Sequence, residues 1–305
     1  MKKISAAFTC LFACLFLSST SGAYEYSVAG VDDAVMGEML GSAVNIIVLR
    51  ETKIADDKMR VALYLGRGAH FRSCILSAAH VVSSGSLDGS PPDKIYLVKD
   101  ASALLEVRNF ITVINGFGGG PGLNGLMKIY NEIFEKNANL IPLDALFVKK
   151  NFGIDAALLK VRKTKKPLNL PSASLGKSGE LKIGHAVYLI GAPLKFTVNV
   201  RSGIAASERY FLNLSDGSEV LKIGGFDVSV ATLPGDSGSP VFALERAGSA
   251  VRPKIVGVQI ASHAVPVAEK VYQYAGIGFA NDIDSIAEAF RKEIGIDLAE
   301  FDCRN

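Results

Sequence analysis

Three short boxes in this sequence combine residue types able to attack a carbonyl. The first, Leu76-Ser77-Ala78-Ala79-His80-Val81-Val82, ends a strand-like run on a histidine. The second, Asp155-Ala156-Ala157-Leu158-Leu159-Lys160-Val161, sets an aspartate at the entry of an apolar strand. The third, Pro234-Gly235-Asp236-Ser237-Gly238-Ser239-Pro240, holds a serine in a tight glycine-rich turn. A serine hydroxyl is a poor nucleophile at neutral pH and needs a neighbouring base to take its proton as it attacks. An imidazole titrates near neutrality, so it can accept that proton and return it to a leaving amine. Each box alone has a plainer reading: a buried hydrogen-bonded histidine, a strand-start aspartate, an ordinary hairpin turn. Their joint occurrence, in the order His, Asp, Ser, is what points to chemistry.

Together the boxes resemble the histidine, aspartate and serine motifs of the trypsin-like (chymotrypsin-fold) serine peptidases, and the resemblance spans roughly residues 45–283. It implies a serine endopeptidase in which Ser237 attacks, His80 relays the proton, and Asp155 fixes the imidazole tautomer and stabilises the imidazolium. Without a side chain at Gly235, the backbone can bend so that its N–H and that of Ser237 both face the developing oxyanion. Asp144, in Leu143-Asp144-Ala145-Leu146-Phe147-Val148, is a rival for the acid. Asp155 is preferred because its box matches through its whole length, although the interval from His80 is then long for the family.

The same resemblance places Ala231, Thr232 and Gln259 at the substrate pocket. No acid stands at Ala231 to counter a Lys or Arg side chain. Glutamate-specific bacterial relatives carry threonine and histidine where this chain has Thr232 and Gln259, so the histidine is missing. The expected preference is a small or medium apolar residue, with His263 nearby in a loop. Animal trypsins insert a freshly cut Ile-Val-Gly-Gly terminus beside the aspartate before the serine. That sequence is absent here, although Asp236 is present. Leu181–Pro193 and Gly278-Phe279-Ala280 resemble instead the bacterial branch of HtrA-type and glutamyl endopeptidases, and no PDZ module is expected because no sequence remains for one after the C-terminal helix.

The elements that must position these residues are mostly short strands. Runs such as Val44–Leu49, Arg60–Leu65, Cys74–Ser77, Lys94–Val98, Arg108–Ile114 and Ala156–Val161 are separated by turn formers, and a second series follows from Ala186 to Phe279. Many short strands with few helices indicate an all-β barrel or sandwich. The resemblance implies two six-stranded antiparallel barrels. Polar, Pro-containing Arg162–Gly176 reads as the linker between them, giving units of 24–165 and 166–305. Residues 104–150 break the β pattern as an insertion, with a glycine run and a predicted helix over Leu126–Phe134. The glycine run lacks the Gly-Lys-Ser/Thr ending of a phosphate loop. Ile283, Ile286, Ala287, Phe290 and Ile294 share one face and predict a C-terminal helix over Ile283–Ile294.

Of the 305 residues, 49% are hydrophobic and 21% charged, which suffices for a sizeable core. A formal net charge of +3 creates no strong field for nucleic acid. Residues 1–23 read as a signal peptide, since Lys2 and Lys3 precede an apolar run to Leu17 and then Ser21-Gly22-Ala23. That run, about 14 residues against the roughly 20 of a span, is short for a retained anchor. The expected protein is therefore periplasmic or secreted, with no stable membrane span once mature, and acts on protein or peptide substrates. Cys74 and Cys303 remain after cleavage of the leader; an exported chain could bridge them, or Cys74 could be a small buried hydrophobe. The scattered histidines His70, His80, His185 and His263 form no metal set, and no cofactor is expected. Two further readings stay open. One is a catalytically dormant protease-like binding or chaperone protein. The other is an α/β-hydrolase esterase, which the order His, Asp, Ser disfavours because that fold runs Ser, acid, His.

Overall fold

A computed structural model describes residues 31–55, 58–83, 94–98, 107, 131–151, 153–162, 169–192, 198–216, 219–247, 250–268 and 271–303. Six antiparallel strands close a barrel: β1 (Ala43–Ala55), β2 (Lys58–Phe71), β3 (Cys74–Ser77), β4 (Lys94–Val98), β5 (Leu140–Asn151) and β6 (Ile154–Val161), in the order β1-β2-β3-β6-β5-β4. Strand β1 shows why its central residues form an uninterrupted apolar run. Ile46 and Val48 join the main core, while Ile47 and Leu49 face a second cluster with Tyr96, Val98, Val107, Phe134 and Leu140. The strand is thus buried on both faces, because residues from the insertion cover the outside of the barrel. The Tyr96 and Phe134 rings meet there at 5.8 Å.

Two expectations for the insertion change. Residues 140–151 belong to the barrel as β5, whose sequence alternates too irregularly to announce a strand; a bulge between Ala145 and Phe147 explains the break in period. Asn131–Glu135, at the end of the predicted helix, forms a single π-helical turn. The remainder of that helix, the glycine run, the Arg108–Ile114 strand and the leader 1–23 lie outside the described residues.

The second half of the chain supplies β7 (Ser174–Leu175), β8 (Ala186–Gly191), β9 (Asn199–Ile204), β10 (Tyr210–Asp216), β11 (Glu219–Val228), β12 (Pro240–Ala247), β13 (Ala250–Ala268) and β14 (Val271–Asp282). They pair in the order β10-β11-β14-β13-β12-β8-β9, with β7 parallel to β13. This is an eight-stranded sheet, not a continuous six-stranded barrel ladder. Ala205, just past β9 at one end of the sheet, bridges to Val228 of β11, next to the other end, beside the bonds Ala206 N to Asp227 O (2.8 Å) and Ser229 N to Ile204 O (3.0 Å).

Three α-helices have their bounds among the described residues. The first, α1 (Asp33–Ser42), was not evident from the sequence; Asp32 caps it by accepting from the Ala34 N–H, and Val35 and Met39 are buried. Helix α2 (Ala79–Ser83) is one turn carrying His80. Helix α3 (Ile283–Ile294) is capped by Asp282 and stopped by Gly295 at φ 68°, and buries Ile283, Ile286 and Phe290. Phe290 packs edge-on against Phe147 of β5 at 4.4 Å, docking the helix across both halves. Beyond it, Cys303 is bridged to Cys74 of β3, which settles the question that the sequence left open. No helix among the described residues is long and apolar enough to cross a membrane.

Candidate active site

His80 and Asp155 meet because β3 pairs with β6, so the helical turn following β3 lies over the start of β6. His80 Nδ1 lies 2.7 Å from Asp155 Oδ2, and the His80 backbone N–H donates to Asp155 Oδ1 at 3.0 Å. The carboxylate, only 1% exposed, thus grips the histidine twice, by ring and by backbone. A carboxylate can only accept, so Nδ1 carries the proton and Nε2 keeps its lone pair on the opposite edge of the ring. The His80 side chain remains 28% exposed, open to a substrate. Asp155 is held in turn from the other half of the molecule: its N–H donates to Asn281 Oδ1 (2.9 Å), and Asn281 Nδ2 donates to Gly224 O (2.6 Å). The rival Asp144 is half-exposed and pairs with Arg162 instead, at 2.7 Å.

The serine turn is docked onto β2 of the barrel. Arg67 N–H donates to Ser237 O (2.9 Å), and Ser77 Oγ donates to Arg67 O (2.6 Å). Ser77 stands three residues before His80, so the same backbone locates nucleophile and base. Gly238 takes φ 83°, and a Cβ there would collide with the Arg67 carbonyl, so only glycine allows this approach. Within the turn Asp236 N–H donates to Leu233 O (3.0 Å) and Ser239 N–H to Asp236 O (2.9 Å). The N–H groups of Gly235 and Ser237 have no acceptor among the described residues, which suits a site awaiting an oxyanion. Ser237 Oγ likewise makes no hydrogen bond there, His80 included; without ligand such contacts are often long.

Two arginines near this turn escaped the sequence reading. Asp236 is 1% exposed and forms a two-pronged ion pair with Arg201 of β9, Nη1 to Oδ2 at 2.8 Å and Nη2 to Oδ1. Arg201 also donates to Ala231 O, and Asp236 Oδ2 accepts the Leu233 N–H at 2.9 Å. Residues 231–236 are thus fastened from within. A Cβ on Gly191 would strike both Arg201 and Asp236, so that glycine makes room for the pair. The available signal was an aspartate before the serine in a sequence that has no Ile-Val-Gly-Gly segment. Arg67 is buried, donates to Asn45 Oδ1, and has its pKa lowered by burial to about 10, an effect opposed by the charge of Asp236.

Beside Ser237 a cleft of about 410 Å³ is lined by Leu233, Pro234, Ile260, Ala261, Ser262 and Tyr274, with Asp236, Gln259 and Ala264 also on its wall. The three expected pocket residues do not share one role. Thr232 and Gln259 are buried under the cleft: Thr232 Oγ1 bonds Ser262 Oγ at 2.7 Å, and Gln259 Nε2 donates to Ala261 O. A Cβ on Gly278 would touch both, so the space behind the cleft is filled. Ala231 is exposed and absent from the lining; it contributes only its carbonyl to Arg201. His263 lies in β13 rather than a loop, bonded to Asp227 Oδ1 at 2.8 Å.

A family model described as "Trypsin-like peptidase domain" matches residues 63–251, well over half the chain. The chain belongs to the trypsin-like peptidase family. Within it, the similarity runs to proteins named "Probable periplasmic serine endoprotease DegP-like": 35% identity over 122 residues in Ectopseudomonas mendocina and 32% over 175 residues in Halomonas elongata. Those alignments cover 40% and 56% of this chain but 24% and 31% of the relatives, so the chain spans about a quarter to a third of their length. Among solved structures, an HtrA-type protease with a decapeptide superposes with TM-score 0.53 at 15% identity, covering 86% of this chain and 67% of that one. A second, with a tripeptide, gives 0.50 at 17% identity, covering 87% and 65%. At that identity the likeness speaks for the fold.

Proposed function

We propose that this protein is an exported serine endopeptidase that cleaves peptide bonds through an acyl-enzyme on Ser237. His80 takes the hydroxyl proton at Nε2 and returns it to the leaving amine. Asp155 holds the ring and stabilises its charged form, and the amides of Gly235 and Ser237 receive the oxyanion. The observation that carries this reading is the double grip of Asp155 on His80, at 2.7 and 3.0 Å, beside a serine turn tied to the same stretch of barrel. The apolar part of the lining, Leu233, Pro234, Ile260 and Ala261, supports a small or medium apolar side chain ahead of the cleaved bond, since the acid on the wall, Asp236, is taken up by Arg201. The Ala205–Val228 bridge supports reading the second sheet as a barrel, with 24–165 and 166–305 as the two units. The leader pattern and the periplasmic naming of the bacterial relatives support export.

The test is cut-site profiling of a peptide mixture by the mature protein, with fluorophosphonate labelling alongside. Cleavage and labelling that both vanish in Ser237→Ala, with the fold intact, are expected. Labelling that survives the substitution, or a wild-type protein that neither cleaves nor labels, defeats the proposal, the latter in favour of a dormant binding protein.

A further inference from the structure

One side chain from the second half of the chain reaches into the strand that opens on Asp155. Strand β3 pairs with β6 only from Ala157 onward, so the edge of β6 at Gly153 and Asp155 is left to β11. There Gly153 N–H donates to Lys222 O (2.5 Å) and Gly224 N–H to Gly153 O (3.0 Å), the two bonds of a parallel bridge between Gly153 and Ile223. In an evenly spaced parallel ladder the next bond would run from Asp155 N–H to Gly224 O. The carboxamide of Asn281 occupies that place instead: Oδ1 accepts the Asp155 N–H at 2.9 Å, and Nδ2 donates to Gly224 O at 2.6 Å. Asn281 is 0% exposed and Asp155 1%, so bulk water reaches neither bond. The place demands an amide. A carboxylate would set a second acceptor against Gly224 O, and an apolar side chain would leave both backbone groups unpaired.

Resting on the peptidase reading above, the geometry points to Asn281 as a positioning residue, a side-chain amide set into the ladder that fixes how far Asp155 and His80 stand from the half carrying Ser237. His80 and Asp155 come from the first half and Ser237 from the second, so this separation decides whether base and nucleophile meet. The strand neighbours of Asn281 lead directly to the serine turn. Asn281 pairs with Val258 of β13, and the next residue, Gln259, accepts the Gly238 N–H and donates to Ser239 O, each at 2.8 Å. On its other side Asp282, also 0% exposed, caps α3 and pairs with Arg209 at 2.8 Å, which keeps β14 from sliding. One amide thus links the backbone of Asp155 to the strand that holds the nucleophile, and touches neither substrate nor any reacting atom.

Two substitutions test this. Asn281→Leu removes both bonds at nearly constant size, and Asn281→Asp keeps the donor and acceptor only while its carboxyl is protonated. The acids Asp155 and Asp282 adjoin that position and Arg209 is taken up by Asp282, so burial beside two carboxylates keeps the new carboxyl protonated above the ordinary range. Peptide hydrolysis is measured as kcat and KM between pH 5.5 and 8, with circular dichroism at each pH confining the comparison to folded protein. Asn281→Leu should lower kcat about 10²-fold with KM nearly unchanged, as a misplacement of about 1 Å does. The activity of Asn281→Asp relative to wild type should rise about tenfold as pH falls through the range, since protonation restores the missing donor. If Asn281→Leu does not fold, Asn281→Asp carries the test. The far-downfield proton resonance of the bond between His80 and Asp155 needs no turnover, and should shift or vanish in the variant that lacks the bonds. Unchanged kcat in folded Asn281→Leu, a change confined to KM, or an Asn281→Asp ratio that does not move with pH overturns the inference and leaves the peptidase reading standing. A wild-type protein that neither cleaves nor labels defeats the peptidase reading alone. In that case a resonance moved by the substitutions upholds the positioning role, and one left in place overturns it.

Discussion

Replacing Arg201 by methionine should cripple the site without touching any group that meets substrate. The substitution keeps most of the side-chain length and removes the guanidinium that neutralises Asp236, which is 1% exposed and is left with one donor, the Leu233 N–H. Breaking a buried pair by deleting one partner costs about 3–5 kcal/mol, since the surviving charge stays uncompensated. Arg201 is itself 18% exposed, so water entering its place favours the lower end, about 3 kcal/mol. Asp236 can lower that cost by moving toward solvent, and it would carry Gly235 and Ser237 with it. Losing one oxyanion donor has cost about 2.7–4 kcal/mol elsewhere, a factor of about 10² to 10³ in kcat. Stability is read by denaturant unfolding and activity as kcat and KM on a fluorogenic peptide. The expected result is a loss of about 3 kcal/mol and a kcat at least about 10²-fold lower, with KM changed much less. Arg201→Met/Asp236→Asn should regain a good part of the stability, giving a coupling of roughly 2 kcal/mol in the double-mutant cycle. Unchanged kcat and stability in Arg201→Met, or an additive cycle, would refute the reasoning.

Two further outcomes follow from particular contacts. Asp155→Asn keeps the size of the side chain but presents an amide, which can donate to Nδ1 and favour the wrong tautomer; kcat should fall about 10⁴-fold with little change in melting temperature, as in other enzymes of this type. Burial pushes the His70 imidazole below its ordinary pKa, an effect opposed by the bond between Nδ1 and Pro171 O at 2.8 Å. In the window below the ordinary pKa of about 6.5 the unfolded chain binds the proton first, so stability should fall as pH drops through that value. Melting curves between pH 7.5 and 5.5 should show the slope, and His70→Gln should flatten it.

The triad candidates were legible because each is announced by its neighbours along the chain: a histidine after an apolar run, an aspartate opening Ala156–Val161, a serine between glycines. The choice of Asp155 over Asp144 needed only the match of a whole box. The eye for short strands also found most of the barrel. Strand β5 was missed because its bulge disturbs the period-two pattern, and α1 because ten residues with two buried apolar side chains leave a weak periodicity.

What local sequence determined, then, is which residues carry reactive groups and which segments have strand or helix character, since propensity and patterning act over a few residues. The Arg201–Asp236 pair, the Asn281 bond to Asp155 and the Cys74–Cys303 bridge were decided only by tertiary structure. Each joins or exposes groups tens to hundreds of residues apart, and burial and strand neighbours are properties of the folded arrangement. An arginine in a polar strand looks like any surface charge until the fold wraps it around a buried aspartate.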